Sequence, residues 1–367
     1  MKQETRERAF QFGAKIIRSV YGEASWRYAY KKLRWWFVCS DQYQKTMKPW
    51  FDRALEQFHG KLWNRGWLIR LDYRLCWIFV GAEPDDYFDF EFFRKGWRWR
   101  NHHVTKQRLN FMDPILNNPE SAYVISDKLD FYRHWNAYLK RNWCVPQEVS
   151  FEEFQALFGE KTTLLIKPAA SFGGHGIRVL DVDASNFRSV YEQAHNSEDK
   201  ILVEEFVHQE GFLHDVYPPA LNPLRVTTAR VGNAVEVLYA NFITGCHENR
   251  IANECSGGIG FPIEIETGLL CVGQGRENNG YRKHPDTGVE IAGQYVPDWE
   301  KIKRFACEAH SLAPEDVRLI GWDICWSNGQ LSIIEGNKTP GFPELPDRSE
   351  NVWKKMEAYL DRVYECK

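Results

Sequence analysis

Asp323, Glu335 and Asn337 are the residues of this 367-residue chain best suited to hold a divalent cation. Asp323 interrupts the apolar run Ile320-Gly-Trp-Asp-Ile-Cys-Trp326, where an ionised carboxylate is costly without a cation or hydrogen-bond donors. Glu335 closes the run that starts at Leu331, and Asn337 stands two residues further on. Alternation along an extended strand puts Glu335 and Asn337 on one face. The intervening Ser327-Asn-Gly-Gln330 can reverse the chain so that Asp323 meets them. Three oxygen ligands, completed by phosphate oxygens and water, suit Mg²⁺. Two solvated strand-end carboxylates are the plain alternative.

A second set suits an anion. Ser171-Phe-Gly-Gly-His-Gly176 can turn backbone amides toward a phosphate, because glycine tolerates the dihedrals and the close approach. Lys167, followed by Pro168, ends the strand before this loop and supplies a charge to neutralise phosphate oxygens. The loop matches neither a Walker A nor a dinucleotide fingerprint, and a simple hairpin turn would also explain it. A third set lies between the first two. Glu204 and Glu205 precede Phe206-Val207, an apolar pair able to flank a planar base. Asn222, Arg225 and Arg230 lie on or near the next strand, and Arg250 and Asn253 precede the pair Gly257-Gly258. Arginine and asparagine near glycines can hold a transferring phosphoryl group, although strand arginines are commonly plain surface.

These residues need elements to position them. From about residue 120 the chain breaks into short aliphatic runs punctuated by glycine. Strands are expected over 164–167, 176–180, 201–204, 224–230, 235–243, 318–326 and 330–334, with a helix over 299–310. Strands and helices without regular βαβ alternation mark an α+β sheet domain. Before this, apolar residues at helical spacing run from Arg8 to Phe37, Pro49 can open a second helix, and a third follows over 68–80. The acidic Glu83-Pro-Asp-Asp run suits another helix start.

Charge is unevenly spread. The net charge is −3, which does not mark a nucleic-acid binder, yet residues 1–110 carry 22 Lys/Arg against 12 Asp/Glu, or +10, leaving −13 for the rest. Nine of the 15 tryptophans fall in that first segment. Tryptophans at helical spacing pack cores, and the surplus charge suits a face for an anionic sugar nucleotide, a polysaccharide or a membrane surface. Nine scattered cysteines without a CxxC pair, and opening residues without an apolar leader core, lead to the expectation of reduced thiols and a cytoplasmic location, extending to the inner face of the membrane.

Taken in order, the motifs resemble the ATP-grasp superfamily, and within it the sugar-transfer-associated branch linked to cell-surface polysaccharide biosynthesis. The likeness covers roughly residues 105–345. It runs through Asp127-Lys128, Lys167-Pro168, the glycine flap, Val203-Glu-Glu-Phe-Val207 and Asn222-Pro-Leu-Arg225. It continues through Arg250-Ile-Ala-Asn253 with Gly257-Gly258, Tyr281 to Gly288, Gly321-Trp-Asp323 and Ile334-Glu-Gly-Asn337. The resemblance implies an ATP-grasp core of two α+β halves clamping ATP behind a mainly helical segment. The corresponding boundaries are 1–115 for that basic, Trp-rich segment, 116–206 for the half with the flap, and 207–367 for the half with the Mg²⁺ site.

It further implies that Lys128 and Lys167 contact the ATP phosphates beneath a flap that includes Ser171, Gly173, Gly174 and Gly176. Glu204 and the backbone through Val207 would read the adenine, and Glu205 or Glu210 the ribose. Asp323, Glu335 and Asn337 match the ligands of Mg²⁺, usually two ions. Arg225, Arg250 and Asn253 would support the phosphoryl group, with Asn222 and His284 toward substrate. Many ligases of the superfamily carry an arginine just before the metal-binding aspartate; Ile320-Gly-Trp322 stands there instead, so Arg225, Arg250 or Arg318 must supply that charge. The implied reaction is an ATP- and Mg²⁺-dependent carboxylate–amine ligation through an acyl phosphate, on a uronic acid or other surface-glycan precursor and giving ADP and phosphate. A kinase acting on a sugar hydroxyl would use the same cradle, and a non-catalytic ATP-binding module is a third reading.

Overall fold

The computed structural model describes residues 48–57, 66–159, 161–170, 176–247, 252, 257–275, 279–342 and 352–365. The longer helices are α1 (Lys48–Gln57), α2 (Gly66–Phe79), α3 (Pro84–Asp89), α4 (Lys106–Leu116), α5 (Lys128–His134), α6 (Phe151–Phe158), α7 (Phe187–His195), α8 (Trp299–Ser311) and α9 (Val352–Glu365). The chain forms two compact units. One gathers the described residues up to Leu116, residues 231–234 and α9; the other holds Asn117–Arg230 and the residues from Val235 to Phe342.

In the first unit Pro49 sits in the first turn of α1 as expected, and α2 matches the third apolar run. The Glu83 amide donates to the Asp86 carboxylate at 2.8 Å, so the acidic run does start a helix. Phe51 stacks on Tyr73 at 4.1 Å within a core that also buries Cys76, Trp77, Val80 and Phe92. Asp72 accepts from Arg100 and from the Tyr87 hydroxyl, each at 2.7 Å, which pairs the guanidinium that this core buries. The expected helix from Arg8 to Phe37 lies outside the described residues.

The second unit contains two antiparallel sheets. The smaller has strands β1 (Trp143–Cys144), β2 (Thr162–Pro168), β3 (Arg178–Val182) and β4 (Ile201–Glu205) in the order β1-β4-β2-β3. Its alternation is strict: Leu164, Ile166, Ile201 and Val203 face α6 and α7, while Leu202 and Glu204 face the other way. β2 and β3 pair antiparallel, so the glycine loop does connect a hairpin, with its second strand starting at Arg178 rather than Gly176.

The larger sheet has β5 (Leu224–Val231), β6 (Ala234–Thr244), β7 (Ile259–Pro262), β8 (Gly273–Gln274), β9 (Asn279–Tyr281), β10 (Leu319–Ser327) and β11 (Gln330–Asn337). Its order is β11-β10-β5-β6-β7-β8-β9. Asn328 and Gly329, both at positive φ, make the two-residue turn between β10 and β11. Leu224, Val226, Trp322 and Ile324 point into the main core with α5 and α8.

That core contains a polar chain. Trp322 donates its indole N–H to the Thr228 hydroxyl at 2.8 Å, this hydroxyl lies 2.7 Å from His310 Nδ1, and Nε2 donates to the Val317 carbonyl. Burial favours the neutral ring and holds the His310 pKa down at about 4. Unfolded, the ring takes up a proton near pH 6.5. His310 therefore contributes fully above that pH, and its contribution is lost as pH falls from 6.5 toward 4. Urea unfolding followed across this window should show a decline of up to about 3 kcal/mol from this group, and His310→Gln should show a smaller decline than the unmodified chain.

Candidate active site

A row of three charged side chains crosses the large sheet. Register pairs Asp323 with Arg225 on one side and with Glu335 on the other, so all three share a face. Arg225 grips Asp323 with both arms, Nε to Oδ1 and Nη2 to Oδ2, each at 2.8 Å. Such a fork is the strongest form of a carboxylate pair. Arg318 precedes β10 five residues from Asp323, roughly 16 Å of extended strand. The cation beside the aspartate is thus Arg225, delivered from the neighbouring strand.

Glu335 reaches that row through a bulge. Asp323 pairs with Glu335 but Ile324 pairs with Ile333, so Ile334 is extra on β11. Without it Glu335 would share the core face of Ile333; the bulge turns Glu335 to the opposite face. Asn337 joins it, its amide donating to Glu335 at 3.4 Å. Gly336 between them lies against α5: a Cβ there would stand 2.7 Å from the Phe131 ring. The residue at 336 has to be glycine for the helix to sit this close.

That helix brings the first lysine. Asp127 caps α5 by accepting from the Asp130 amide at 2.9 Å, and Lys128 opens it. Burial lowers the Lys128 pKa, the neighbouring Lys167 lowers it further, and Glu335 and Glu204 pull the other way. Lys128 therefore stands among the groups the sequence expected it to join, and its ammonium is 3.4 Å from the Pro168 carbonyl. Tyr132, one turn along α5, is a residue the sequence reading missed; its i+4 spacing from Lys128 was the available signal.

Behind the lysines lies a buried ionic cluster. Glu204 is 4% exposed. One of its oxygens accepts from Lys167 at 2.6 Å; the other accepts from Arg141 at 2.5 Å and from the Tyr132 hydroxyl at 2.6 Å. Lys167 also donates to that hydroxyl at 2.8 Å. Burial opposes the charge on Glu204, but Arg141 and Lys167 outweigh it and draw its pKa down to about 2. Arg141 goes on to donate to the Ile333 carbonyl at 2.7 Å and the Ile334 carbonyl at 3.3 Å, satisfying the backbone at the bulge. No local pattern in the sequence marks Arg141.

Several of the expected site residues are engaged by the protein's own groups. Both oxygens of the Glu204 carboxylate are engaged by Lys167, Arg141 and Tyr132, so the protein's own groups hold the side chain expected to read an adenine. Glu205, one residue on, alternates to the other face and accepts from the Asn142 backbone and side chain. Glu210 is exposed and accepts from the Gly329 amide at the far hairpin. Asn222 is fully buried, donating to the Leu213 and Tyr217 carbonyls and accepting from Thr244 and Gly245, so it braces the backbone. His284, also buried, donates from Nε2 to the Gly245 carbonyl, accepts at Nδ1 from the Asp286 amide, and stacks on Tyr217. Both side chains, expected toward substrate, are bonded to the protein's own backbone. Val207 is half-buried just beyond β4. Ser171, Gly173, Gly174, Arg250 and Asn253 lie outside the described residues; Gly176 has φ +77 and abuts Pro168.

The donor set fits a hard dication. Partial desolvation and the adjacent Asp323 push Glu335 up to about 7, although the residue keeps solvent exposure. Even with Arg225 present, the two carboxylates side by side are therefore short of positive charge, and an amide oxygen is at hand. Among the described residues, no group of three or more His, Cys, Asp or Glu forms a metal site.

Residues 107–346 match the family described as sugar-transfer associated ATP-grasp. The chain belongs to this ATP-grasp family. Its fold is accordingly the ATP-grasp fold. Comparison with curated proteins gives no match. Among solved structures, the chain is similar to the ATP-grasp ligase PsnB complexed with a phosphomimetic variant of its minimal precursor, Mg and ADP, at 13% identity over 68% of this chain and 61% of that one, TM-score 0.38. It is similar to D-alanine–D-alanine ligase from Bacillus anthracis complexed with ATP, at 14% identity over 68% of each chain, TM-score 0.37. It is also similar to the VanG D-Ala:D-Ser ligase from Enterococcus faecalis, at 14% identity over 67% of this chain and 62% of that one, TM-score 0.39. The chain thus spans less than two thirds of the PsnB length in that match.

Removing the Glu204 carboxylate would leave Arg141 and Lys167 buried without their counter-ion. Glu204→Ala should cost about 3–5 kcal/mol in urea unfolding, against under about 1 kcal/mol for Glu205→Ala. The Glu204 contribution should be complete above pH 4.5 and lost as pH falls toward 2. Equal small effects for the two variants would remove the buried cluster from its supporting role.

Proposed function

We propose that this chain is an ATP-dependent ligase that activates a carboxylate as an acyl phosphate and couples it to an amine, with a uronic acid or related glycan precursor as the carboxylate. The observation that carries this reading is the in-register row Arg225–Asp323–Glu335, with Lys128 on the adjoining helix. Asp323, Glu335 and Asn337 would hold Mg²⁺, which offsets triphosphate charge when bound. Lys128 and Lys167 would meet the phosphate oxygens. An ammonium has three N–H donors; Glu204 and Tyr132 take two of those on Lys167 and leave its direction fixed for a third acceptor. Glu204 then acts as an orienting anion behind the lysine.

Arg225 would take the part of the arginine absent before Asp323. Its guanidinium is the cation next to the metal ligands, where charge on a γ-phosphoryl group or an acyl phosphate develops. Attack by the substrate carboxylate oxygen on the γ-phosphorus breaks the bond to ADP. An amine then adds at the acyl carbon, expels phosphate and gives an amide. The hairpin loop before Gly176 would exclude water from the acyl phosphate. The family's association with sugar transfer supports a glycan precursor as substrate.

Incubation with ATP, Mg²⁺, a uronic acid and hydroxylamine should release ADP and form a hydroxamate. Asp323→Asn and Glu335→Gln should lower ADP release by about 100-fold or more. Glu335→Gln should keep the unfolding midpoint close to that of the unmodified chain, whereas Asp323→Asn weakens the buried fork to Arg225 and should lower it. A stable phosphorylated sugar without hydroxamate would replace the ligase reading by the kinase. Turnover unaffected by both substitutions would remove the row from the chemistry.

A further inference from the structure

Helix α2 breaks the usual pattern of a surface helix. Tyr73, Cys76 and Trp77 share one face and are buried in the core of the first unit. The opposite face should be polar. Instead it carries Trp67, 68% exposed, and Leu71, 47% exposed, with the half-buried Leu75 beside them; Phe79, at the end of the helix, is 63% exposed. Phe79 meets Trp97, itself 41% exposed, edge-on at 6.1 Å, which extends the apolar patch beyond the helix. The polar groups at its border are cationic: Arg74 lies on the same helix face and Arg98 follows Trp97, both exposed. The nearby Asp72 is already paired with Arg100.

We propose that this patch binds the surface of an anionic lipid bilayer, with α2 lying in the plane of the interface. The 14 residues of α2 span about 21 Å, too little to cross a hydrocarbon core of about 30 Å. No described helix is long and apolar enough to cross a membrane. Tryptophan, with an apolar body and one polar N–H, suits the headgroup boundary, and arginines at the rim of an apolar face reach lipid phosphates. The described residues 48–57 and 66–110 carry 10 Lys/Arg against 8 Asp/Glu, and Arg74 and Arg98 put two of these cations at the patch, where a negative surface would meet them. A nucleic acid would use the same charge but would leave Leu71 and Phe79 unexplained.

Flotation of the full chain with vesicles of phosphatidylcholine alone, or with phosphatidylglycerol added, tests this. Binding is expected to the anionic vesicles only, weakening with salt. Trp67→Ala/Leu71→Ala/Phe79→Ala should lower it at least about tenfold, and Arg74→Glu/Arg98→Glu should lower it as well. These sites are exposed, so far-ultraviolet circular dichroism should be unchanged. Equal binding to neutral vesicles, no flotation, or full binding by the triple variant would each overturn the proposal. So would Trp67→Cys resisting maleimide without vesicles, or dimers that the triple variant dissolves, since either means that protein covers the face.

Discussion

The second unit is organised around one buried anion. Glu204 stands between two cations that come from different parts of the fold, Lys167 on the small sheet and Arg141 after the helical stretch that follows α5. Either cation alone inside the protein would be costly; together with the carboxylate and the Tyr132 hydroxyl they form a fully hydrogen-bonded set. Arg141 carries the connection on to the carbonyls at the β11 bulge. The anion therefore ties the small sheet, α5 and the edge of the large sheet to one another. The geometry alone requires all four groups.

That tie has chemical consequences. The bulge decides that Glu335 faces Asp323 rather than the core. Gly336 lets α5 lie against the same strand, and α5 carries Lys128. The row of Arg225, Asp323 and Glu335 is thus set by backbone register and supported from behind by the ionic cluster. Rigid strands carry the acidic groups, which favours precise placement of charge over adaptability. Lysine mobility at the row is limited in the same way, because Lys167 is held by two partners.

The first unit follows different physics. Its core is aromatic, with Phe51, Tyr73, Tyr87 and Phe88 in mutual ring contact. Arg108 lies 4.3 Å from the Trp353 ring, joining α4 to the C-terminal α9 within the same unit. Its distinctive feature is the apolar outer face of α2. A helix with two apolar faces has one face more than its own core can use.

Local sequence determined the strands, because alternation and glycine punctuation are properties of neighbouring residues. The Asn328-Gly329 turn, the helix start at Glu83 and the facing of Glu335 with Asn337 were legible for that reason, as was the α+β class. The meeting of Asp323 with Glu335 was legible once the turn was granted. The partners of Glu204, Asn222 and His284 were not. Each is a polar group whose role depends on whether it is buried, and burial is settled by packing of segments far apart in the chain. Glu204 and Arg141 are 63 residues apart, and Asn117 holds the Leu319 and Lys338 carbonyls across more than 200 positions. A motif states which residue types are present; only the tertiary structure decides which of them remain for a ligand after the protein's own buried charges and carbonyls have been satisfied.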